Sequence, residues 1–472
     1  MNPKSYILLP AILSTVLNAS AQKTIPLDTV RVEARAWYRD SIRNIRYADW
    51  KSYPTVMLRQ TIGSNAKSLD NSCPYGGDKS RKVASPGYFR ALKQGGRWML
   101  VDPHGHPFIA AAVNSFRQGK SPDNKKAFTE RFGDDTAWAG QSVRAFRADG
   151  FNMLGSWGDT AAIRSWNRYS RQPFPYCTQL NLLSGYVSEA RRKDPRRRDN
   201  PNISFILDAD FATYCDRQAA RIAYLKDDPS LFGHFSDNEI AFMHTVFAEI
   251  LRIPDSTDAC RQAAADFMRK NGVDASTIDR DRKEAFIATL AEVYFKTVSQ
   301  AIRKHDPNHL YVGSRLHSSA KDNPHLFRAA HPYVDVISIN YYGQWAPGAK
   351  QMADWAAWSD RPFFITEFYT KAEDSGLPNI TGAGWLVHTQ RDRGLHYQNF
   401  CLALLQASNN VGWHWFRYQD NDPADPDADP SNNDSNKGLV DKYYRPHTGM
   451  TDVMRPLNLR KYELRKAIGE GR

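Results

Sequence analysis

Phe232-Gly233-His234-Phe235-Ser236-Asp237-Asn238-Glu239 is a short apolar run that stops abruptly on a glutamate. Far downstream, Phe363-Phe364-Ile365-Thr366-Glu367-Phe368-Tyr369 repeats the design. Both read as buried strands of a parallel sheet, whose apolar runs are near-continuous rather than alternating. Outward from them, the chain alternates short strands with helical stretches. Strands are expected over 108–114, 151–157, 178–183, 232–237, 310–314, 334–341, 363–366 and 411–416. The clearest helical pattern is 283–305, with Phe286, Leu290, Val293, Tyr294 and Val298 on one face. Others are 212–225 and 385–408. Eight strands separated by helices predict an α/β fold, a (β/α)8 TIM barrel, with both glutamates at C-terminal strand ends where such barrels place their chemistry. Residues 242–282 are a helical insertion after the fourth strand.

The flanking segments set the domain reading. Lys4, the apolar stretch from Tyr6 to Leu17 and Ala19-Ser20-Ala21 have the layout of a secretory signal, giving a signal peptide over 1–21. That stretch is shorter than the ~20 residues of a membrane span, and no later segment qualifies, so an exported, periplasmic or extracellular protein is expected. Residues 22–85 show no clear period and read as an N-terminal extension packed on a barrel of 86–472. Asp102-Pro103-His104-Gly105 is turn chemistry between two strand-like runs, a hairpin. Cys73, Cys177, Cys215, Cys260 and Cys401 have no CxxC or Cys/His spacing, which argues against zinc and a dense disulfide framework. One bridge is open to them, and the sequence does not choose the pair.

The 472 residues carry a formal net charge of +12, which favours anionic partners, nucleic acid and acidic polysaccharide alike. The interleaved basic and aromatic motifs of nucleic-acid modules are missing, so no nucleic-acid partner is expected. Two glutamates on different strand ends are what double-displacement glycoside hydrolysis requires: one protonates the leaving oxygen and the other attacks the anomeric carbon. Glu239 is the acid/base candidate and Glu367 the nucleophile. The plainer reading of Glu367 is an ion pair with an arginine such as Arg315. Asn238 is placed to hold a sugar hydroxyl. Neither a metal nor an organic cofactor is needed. A non-catalytic glycan-binding protein on a degenerate barrel is the alternative, but it would not need both carboxylates.

Asn-Glu after strand four and Glu after strand seven resemble clan A of the retaining glycoside hydrolases. In finer wording the chain is similar to the β-agarase family, glycoside hydrolase family 50, from about Gly87 onward. The runs that carry this are Gly96-Arg97-Trp98-Met99-Leu100-Val101-Asp102-Pro103, Gly150-Phe151-Asn152-Met153-Leu154-Gly155-Ser156-Trp157 and Phe235-Ser236-Asp237-Asn238-Glu239. Gly412-Trp413-His414-Trp415-Phe416-Arg417-Tyr418-Gln419-Asp420 and Lys437-Gly438-Leu439-Val440-Asp441 continue it. The resemblance implies a poly- or oligosaccharide substrate, an agar-type or sulfated galactan. It also implies a tyrosine that hydrogen-bonds the nucleophile. Alternation puts Ser338, Asn340 and Tyr342 on one side of their strand, favouring Tyr342 over Tyr341 unless a bulge intervenes.

Strand ends supply the remaining candidates. Asn114 would bind sugar hydroxyls or cap a loop. Trp413 and Trp415 share a face and would form a platform under a sugar ring or pack in the core; Trp157 is a similar case. His317 lies just beyond strand five and would line the cleft. The basic run from Arg191 to Arg198 is a solvated loop or a rim for sulfate and carboxylate groups. Asp425-Pro426-Asp427-Ala428-Asp429 has the spacing of a calcium loop but lacks the glycine at position six and the glutamate at twelve, so no metal is assigned.

Overall fold

The computed structural model describes residues 26–40, 45–59, 72–85, 87–429 and 432–470; the signal reading over 1–21 lies outside them. Among the described residues, seventeen strands follow in chain order. The first four are β1 (Leu27–Arg35), β2 (Trp37–Arg39), β3 (Ile45–Tyr47) and β4 (Lys51–Leu58). A hairpin group follows, β5 (Arg90–Gln94), β6 (Arg97–Val101) and β7 (Pro107–Phe108). Then come β8 (Ala110–Val113), β9 (Met153–Leu154), β10 (Tyr176–Gln179), β11 (Leu231–Phe235), β12 (Leu310–Tyr311), β13 (Ile337–Asn340) and β14 (Phe363–Glu367). The last are β15 (Thr370–Ala372), β16 (Trp385–Val387) and β17 (Asn410–Trp415).

Eight of them form one parallel sheet, in the order β12-β11-β10-β9-β8-β17-β14-β13. Each of the eight expected strands is in it, and helices run between successive members. The sheet curls. Beyond β12, Leu316 bridges in parallel to Ile339 of β13, with the Leu316 N–H donating to Ser338 O and the Asn340 N–H to Leu316 O, both at 2.8 Å. The third strand begins at Tyr176 and ends at Gln179, short of the expected 183, because Leu182 and Leu183 open the helix Leu182–Lys193. Trp385 starts a strand, and the helix after it is Gln390–Gln406. The 242–282 insertion holds the helices Val246–Leu251 and Ala259–Lys270.

Burial explains the pattern. One apolar cluster fills the layer between sheet and helices, with Trp138, Tyr294, Trp355, Trp413 and Trp415 among its buried side chains. A second fills the inside of the curl with Ala110, Met153, Phe232, Phe235, Phe364 and Val411, and Phe89, Leu100 and Phe108 of the hairpin region join it. β6 and β7 pair across the Asp102–Gly105 turn as expected. Buried Cys73, Cys177, Cys215, Cys260 and Cys401 are all unpaired.

The reading of 22–85 as without a clear period needs correction. Val30, Val32 and Ala34 alternate with Arg31, Glu33 and Arg35, and β1 pairs antiparallel with β4 from Leu27 to Ala34. β1 also pairs with β16, so the segment completes a four-stranded sheet with the excursion after β14. Its period of two was present in the sequence, but only one face is covered, and the pattern is short.

Candidate active site

The residues that follow β8 to β12 share an unusual backbone. Ser115, Trp157, Asn181, Glu239 and Arg315 have φ between 52° and 57°, a left-handed conformation that side chains adopt at a cost of about 1–2 kcal/mol each. The surroundings hold them there: the Glu239 N–H donates to Ser314 O at 3.2 Å and to Arg315 O at 3.3 Å. Such strain collects at sites that need a side chain aimed off the strand direction.

Glu367 is aimed by a bulge. In β14, Phe363 and Ile365 face the helices and Phe364 faces the interior. Continued alternation would turn Glu367 toward the helices. Instead Ile339 pairs with Ile365 and Asn340 with Glu367, leaving Thr366 as an extra residue in β14. The alternation of β13 is undisturbed, so Tyr342 reaches the site and Tyr341 turns away to Gln351.

Glu239 and Glu367 open on one cavity of about 610 Å³, together with Trp157, Asn238, His317 and Tyr342. Both Glu367 oxygens are held: Arg315 Nη2 donates to Oε1 at 2.7 Å and the Tyr342 hydroxyl to Oε2 at 2.6 Å. Arg315 is fully buried, donates again to Thr366 O at 3.0 Å, and lies 4.2 Å from the centre of the Trp157 ring. The expected alternative partner of Glu367 is thus present in the site itself. Asn340 ties the two strand ends together. Its Nδ2 donates to Glu239 Oε1 at 2.9 Å and Asn238 Oδ1 at 3.2 Å, while its Oδ1 accepts from Thr366 Oγ1 at 2.8 Å.

Burial pushes the Glu367 carboxyl above its ordinary range; Arg315 opposes this, the Glu239 charge adds to it, and Tyr342 and Lys437 oppose it. Desolvation holds His317 below its usual value, so it lines the cavity as a neutral ring near neutral pH. Lys437 is buried with Nζ 4.7 Å from the Phe416 ring centre, and burial depresses its ammonium strongly.

Three expected site residues are placed elsewhere. Asn114 is fully buried: its Nδ2 donates to Thr366 O at 2.6 Å, and its Oδ1 accepts from the Ser156 N–H at 2.9 Å. It clamps three strand ends from beneath, and a Cβ on Gly155 would collide with it. Trp413 and Trp415 do share a face, but it is the helix-facing one. Trp413 Nε1 donates to the Tyr397 hydroxyl at 2.6 Å and Trp415 Nε1 to Lys437 O at 3.1 Å, with neither ring exposed. Asp237, beside Glu239, caps the helix Leu182–Lys193 by accepting from the Leu183 and Ser184 N–H groups, and burial pushes its carboxyl to about 6.

Sequence reasoning missed Asn340, Tyr369, Phe416 and Asn432 on the cavity wall, and Trp37, Arg39 and Ile45 from β2 and β3. Only Asn340 had a signal, its place in the polar set of β13. Part of the basic run is neutralised within the fold: Lys193 pairs with Glu189, Arg196 with Asp194, and Arg197 with Asp208 and Asp258. In the 425–429 loop, Asp427 is turned to Lys120 Nζ and Asp425 accepts from the Lys120 N–H, so both carboxylates are engaged by Lys120. Among the described residues, His234, Asp306 and His309 form the one cluster of metal-ligating type. It joins His234, inside β11, to Asp306 and His309, which precede β12, and its atoms already bond one another. Asp306 takes both rings at 2.8 Å, and their outer nitrogens meet Thr178 Oγ1 and Asp228 O.

No family model matches the chain. It is similar to a crystallised protein named BpGH50, at 30% identity and a TM-score of 0.82, over 93% of this chain and 95% of that one. The agarase AgWH50C has the same fold, with a TM-score of 0.68 at 23% identity over 84% of this chain and 67% of that one. Beta-agarase A of Vibrio sp. (strain JT0107) is 26% identical over 502 residues, which are 84% of this chain and 48% of that protein. The chain therefore spans about half the length of that relative.

Proposed function

The chain belongs to glycoside hydrolase family 50, and on that premise we propose that it is a retaining glycosidase cleaving β-glycosidic bonds of an agar-type galactan. Glu367 is the nucleophile and Glu239 the acid/base. The observation that carries this reading is the shared cavity in which both oxygens of Glu367 are held by Arg315 and Tyr342, while Asn340 holds Glu239. In the first step a Glu367 oxygen bonds to the anomeric carbon as the glycosidic C–O bond breaks, and Glu239 gives its proton to the leaving oxygen. In the second, Glu239 takes a proton from water, whose oxygen attacks the anomeric carbon and releases Glu367 as carboxylate. Asn238, Trp157 and His317 are proposed to contact the sugar.

The curled sheet is read as a closed (β/α)8 barrel, supported by the Leu316–Ile339 bridge between its end strands. We take 86–472 as that barrel and 22–85 as an extension that adds a wall to the cavity, supported by Trp37 and Ile45 there. Export is supported by the residue pattern of 1–21; among the described residues no helix is long and apolar enough to cross a membrane.

Reducing-sugar release from neutral and sulfated agar polymers, with Glu367→Gln as the blank, tests the proposal. Release that disappears in the blank is the expected result. Release that persists in it removes Glu367 from the mechanism.

Two residues give graded tests. Tyr342→Phe removes one hydrogen bond to a charged acceptor, worth about 1.5–3 kcal/mol, and so is expected to lower kcat roughly 10- to 150-fold. KM should change little, and an unchanged kcat would make Tyr342 a packing residue only. Arg315→Met is expected to move the acid limb of kcat/KM to higher pH. The nucleophile acts ionised, the guanidinium holds its carboxyl down, and removing that charge lets burial push it further up. A pH profile that stays in place would separate the limb from Glu367.

A further inference from the structure

At the opposite end of the sheet from the two glutamates, a second cavity of about 610 Å³ opens below β10 and β11. Its walls come from Pro173 and Ser230 ahead of those strands, the helix Thr160–Tyr169, and Tyr75 and His104. Ser230 immediately precedes β11 and Glu239 follows it, so the two cavities are separated by the strand's length, about 17 Å for five residues. At this size the cavity falls within the range of small-ligand sites.

Its charge is lopsided. Arg164, Arg168 and Arg171 line it against one acid, Asp228. That carboxylate is already engaged, by the Tyr176 hydroxyl at 2.9 Å, the Ser230 N–H at 2.9 Å and Arg164 Nε at 3.4 Å. Arg164 also lies 4.9 Å from the ring centre of Tyr224, a side chain 68% exposed. Arg168 and Arg171 are exposed, and no acidic partner faces either among the described residues. A basic residue in a helix's last turn offsets the partial negative charge of its end, which accounts for Arg168. It does not account for Arg171, beyond the helix, or for the convergence of three guanidinium groups on a concavity. Beside them Tyr169 projects with 83% of its surface exposed. The contrast with Arg196 and Arg197 is direct: those are paired with aspartates, whereas here the surplus positive charge is left open.

Planar guanidinium forks bind sulfate and carboxylate in two-point fashion, and exposed tyrosines give a sugar an amphipathic surface to lie on. We propose that this cavity is a second carbohydrate site, taking an anionic sugar residue (a sulfate ester or a carboxylate) through Arg168 and Arg171. It would hold the protein on a charged polymer while the glutamates work at the other end. That the ligand is a sugar rests on the glycosidase reading; the anion-binding geometry does not.

Binding is measured by titration calorimetry on the full chain carrying Glu367→Gln, so that no ligand is cleaved. The ligands are sulfated galactan oligosaccharides, the same oligosaccharides after desulfation, and oligogalacturonates. Arg168→Ala with Arg171→Ala is expected to weaken binding of the sulfated chains about tenfold or more. Binding of the desulfated chains should not change, nor should their turnover in the otherwise wild-type protein. An equal loss for oligogalacturonates identifies the shared anion chemistry, and none identifies sulfate. The control is Arg192→Ala with Arg198→Ala, two exposed arginines of the basic run. Unchanged affinity in the first pair, or an equal loss in the control, overturns the proposal. If no polymer is cleaved by the wild type while Arg168 and Arg171 still govern binding, the glycosidase reading fails and the anion site stands.

Discussion

Glu367→Gln is expected to lower kcat on the order of 10⁴-fold or more, while melting at neutral pH no lower than the wild type. The first half follows from chemistry: an amide at this position cannot form the glycosyl ester, and no second carboxylate replaces it. Glutamine preserves shape and keeps an oxygen for Arg315 or Tyr342, so the substrate pocket stays assembled and KM should move little. The second half follows from electrostatics. Burial, helped by the Glu239 charge, raises the Glu367 carboxyl against the lowering effects of Arg315, Tyr342 and Lys437. A carboxyl raised in the folded state binds its proton more tightly there than in the unfolded chain. Its contribution is therefore fully present below the ordinary carboxylate range and is lost as pH rises through the folded value. At neutral pH the wild type carries a carboxylate the fold disfavours, and the neutral amide relieves it. The difference in melting temperature should shrink as pH falls toward the carboxylate range. Alanine is the wrong probe, since it would leave Arg315 and Tyr342 with no oxygen to donate to at this position. A glutamine variant that melts well below the wild type at pH 7 and equally at low pH would reverse this account and make the Arg315–Glu367 pair a net source of stability.

The sheet was legible because its signal is local: each strand is a brief apolar run between turn residues, and all eight fall close to their expected places. Glu239 and Glu367 were legible as strand-end positions because a carboxylate that closes an apolar run is costly to desolvate without a partner or a task. Which way a side chain points was harder, since a residue's face depends on features that leave no mark in composition. The extra residue Thr366 re-aims Glu367. In β17 the tryptophans face the helices, so His414 is the residue that turns inward, stacked on Phe364 at 4.8 Å. Asn114 reads equally as a sugar ligand or a loop cap, and only the structure shows its amide spent on Thr366 and Ser156. The wall built by Trp37 and Ile45 depends on pairing between β1 and β16, some 350 residues apart in the chain. Such a contact has no local signature.

Glu239→Ala is expected to lower kcat/KM on polymer by about 10²- to 10⁴-fold, the usual contribution of a positioned acid/base, and azide should restore turnover of an activated aryl glycoside. The two substrates separate the two steps. A polymer's leaving oxygen needs a proton, so its first step stalls in the variant. A dinitrophenolate leaves without one, Glu367 is glycosylated, and the slow step becomes attack by water that no base activates. Product should then appear as a burst of one equivalent per active site, followed by a slow phase. Azide needs no deprotonation: it attacks the anomeric carbon of the ester, the bond to Glu367 oxygen breaks, and the carboxylate returns. Two inversions leave the glycosyl azide in the β configuration. The cavity tolerates the change, because Glu239 is only half-buried and Asn340, which loses one acceptor, keeps Asn238 Oδ1. The fold is thus spared and the kinetic effect belongs to the missing carboxyl. Rescue of Glu367→Ala in place of Glu239→Ala, with the β-azide as its product, would exchange the two roles. Absence of any burst or rescue in either variant would leave the covalent step without support and point to a water-mediated displacement between the same two glutamates.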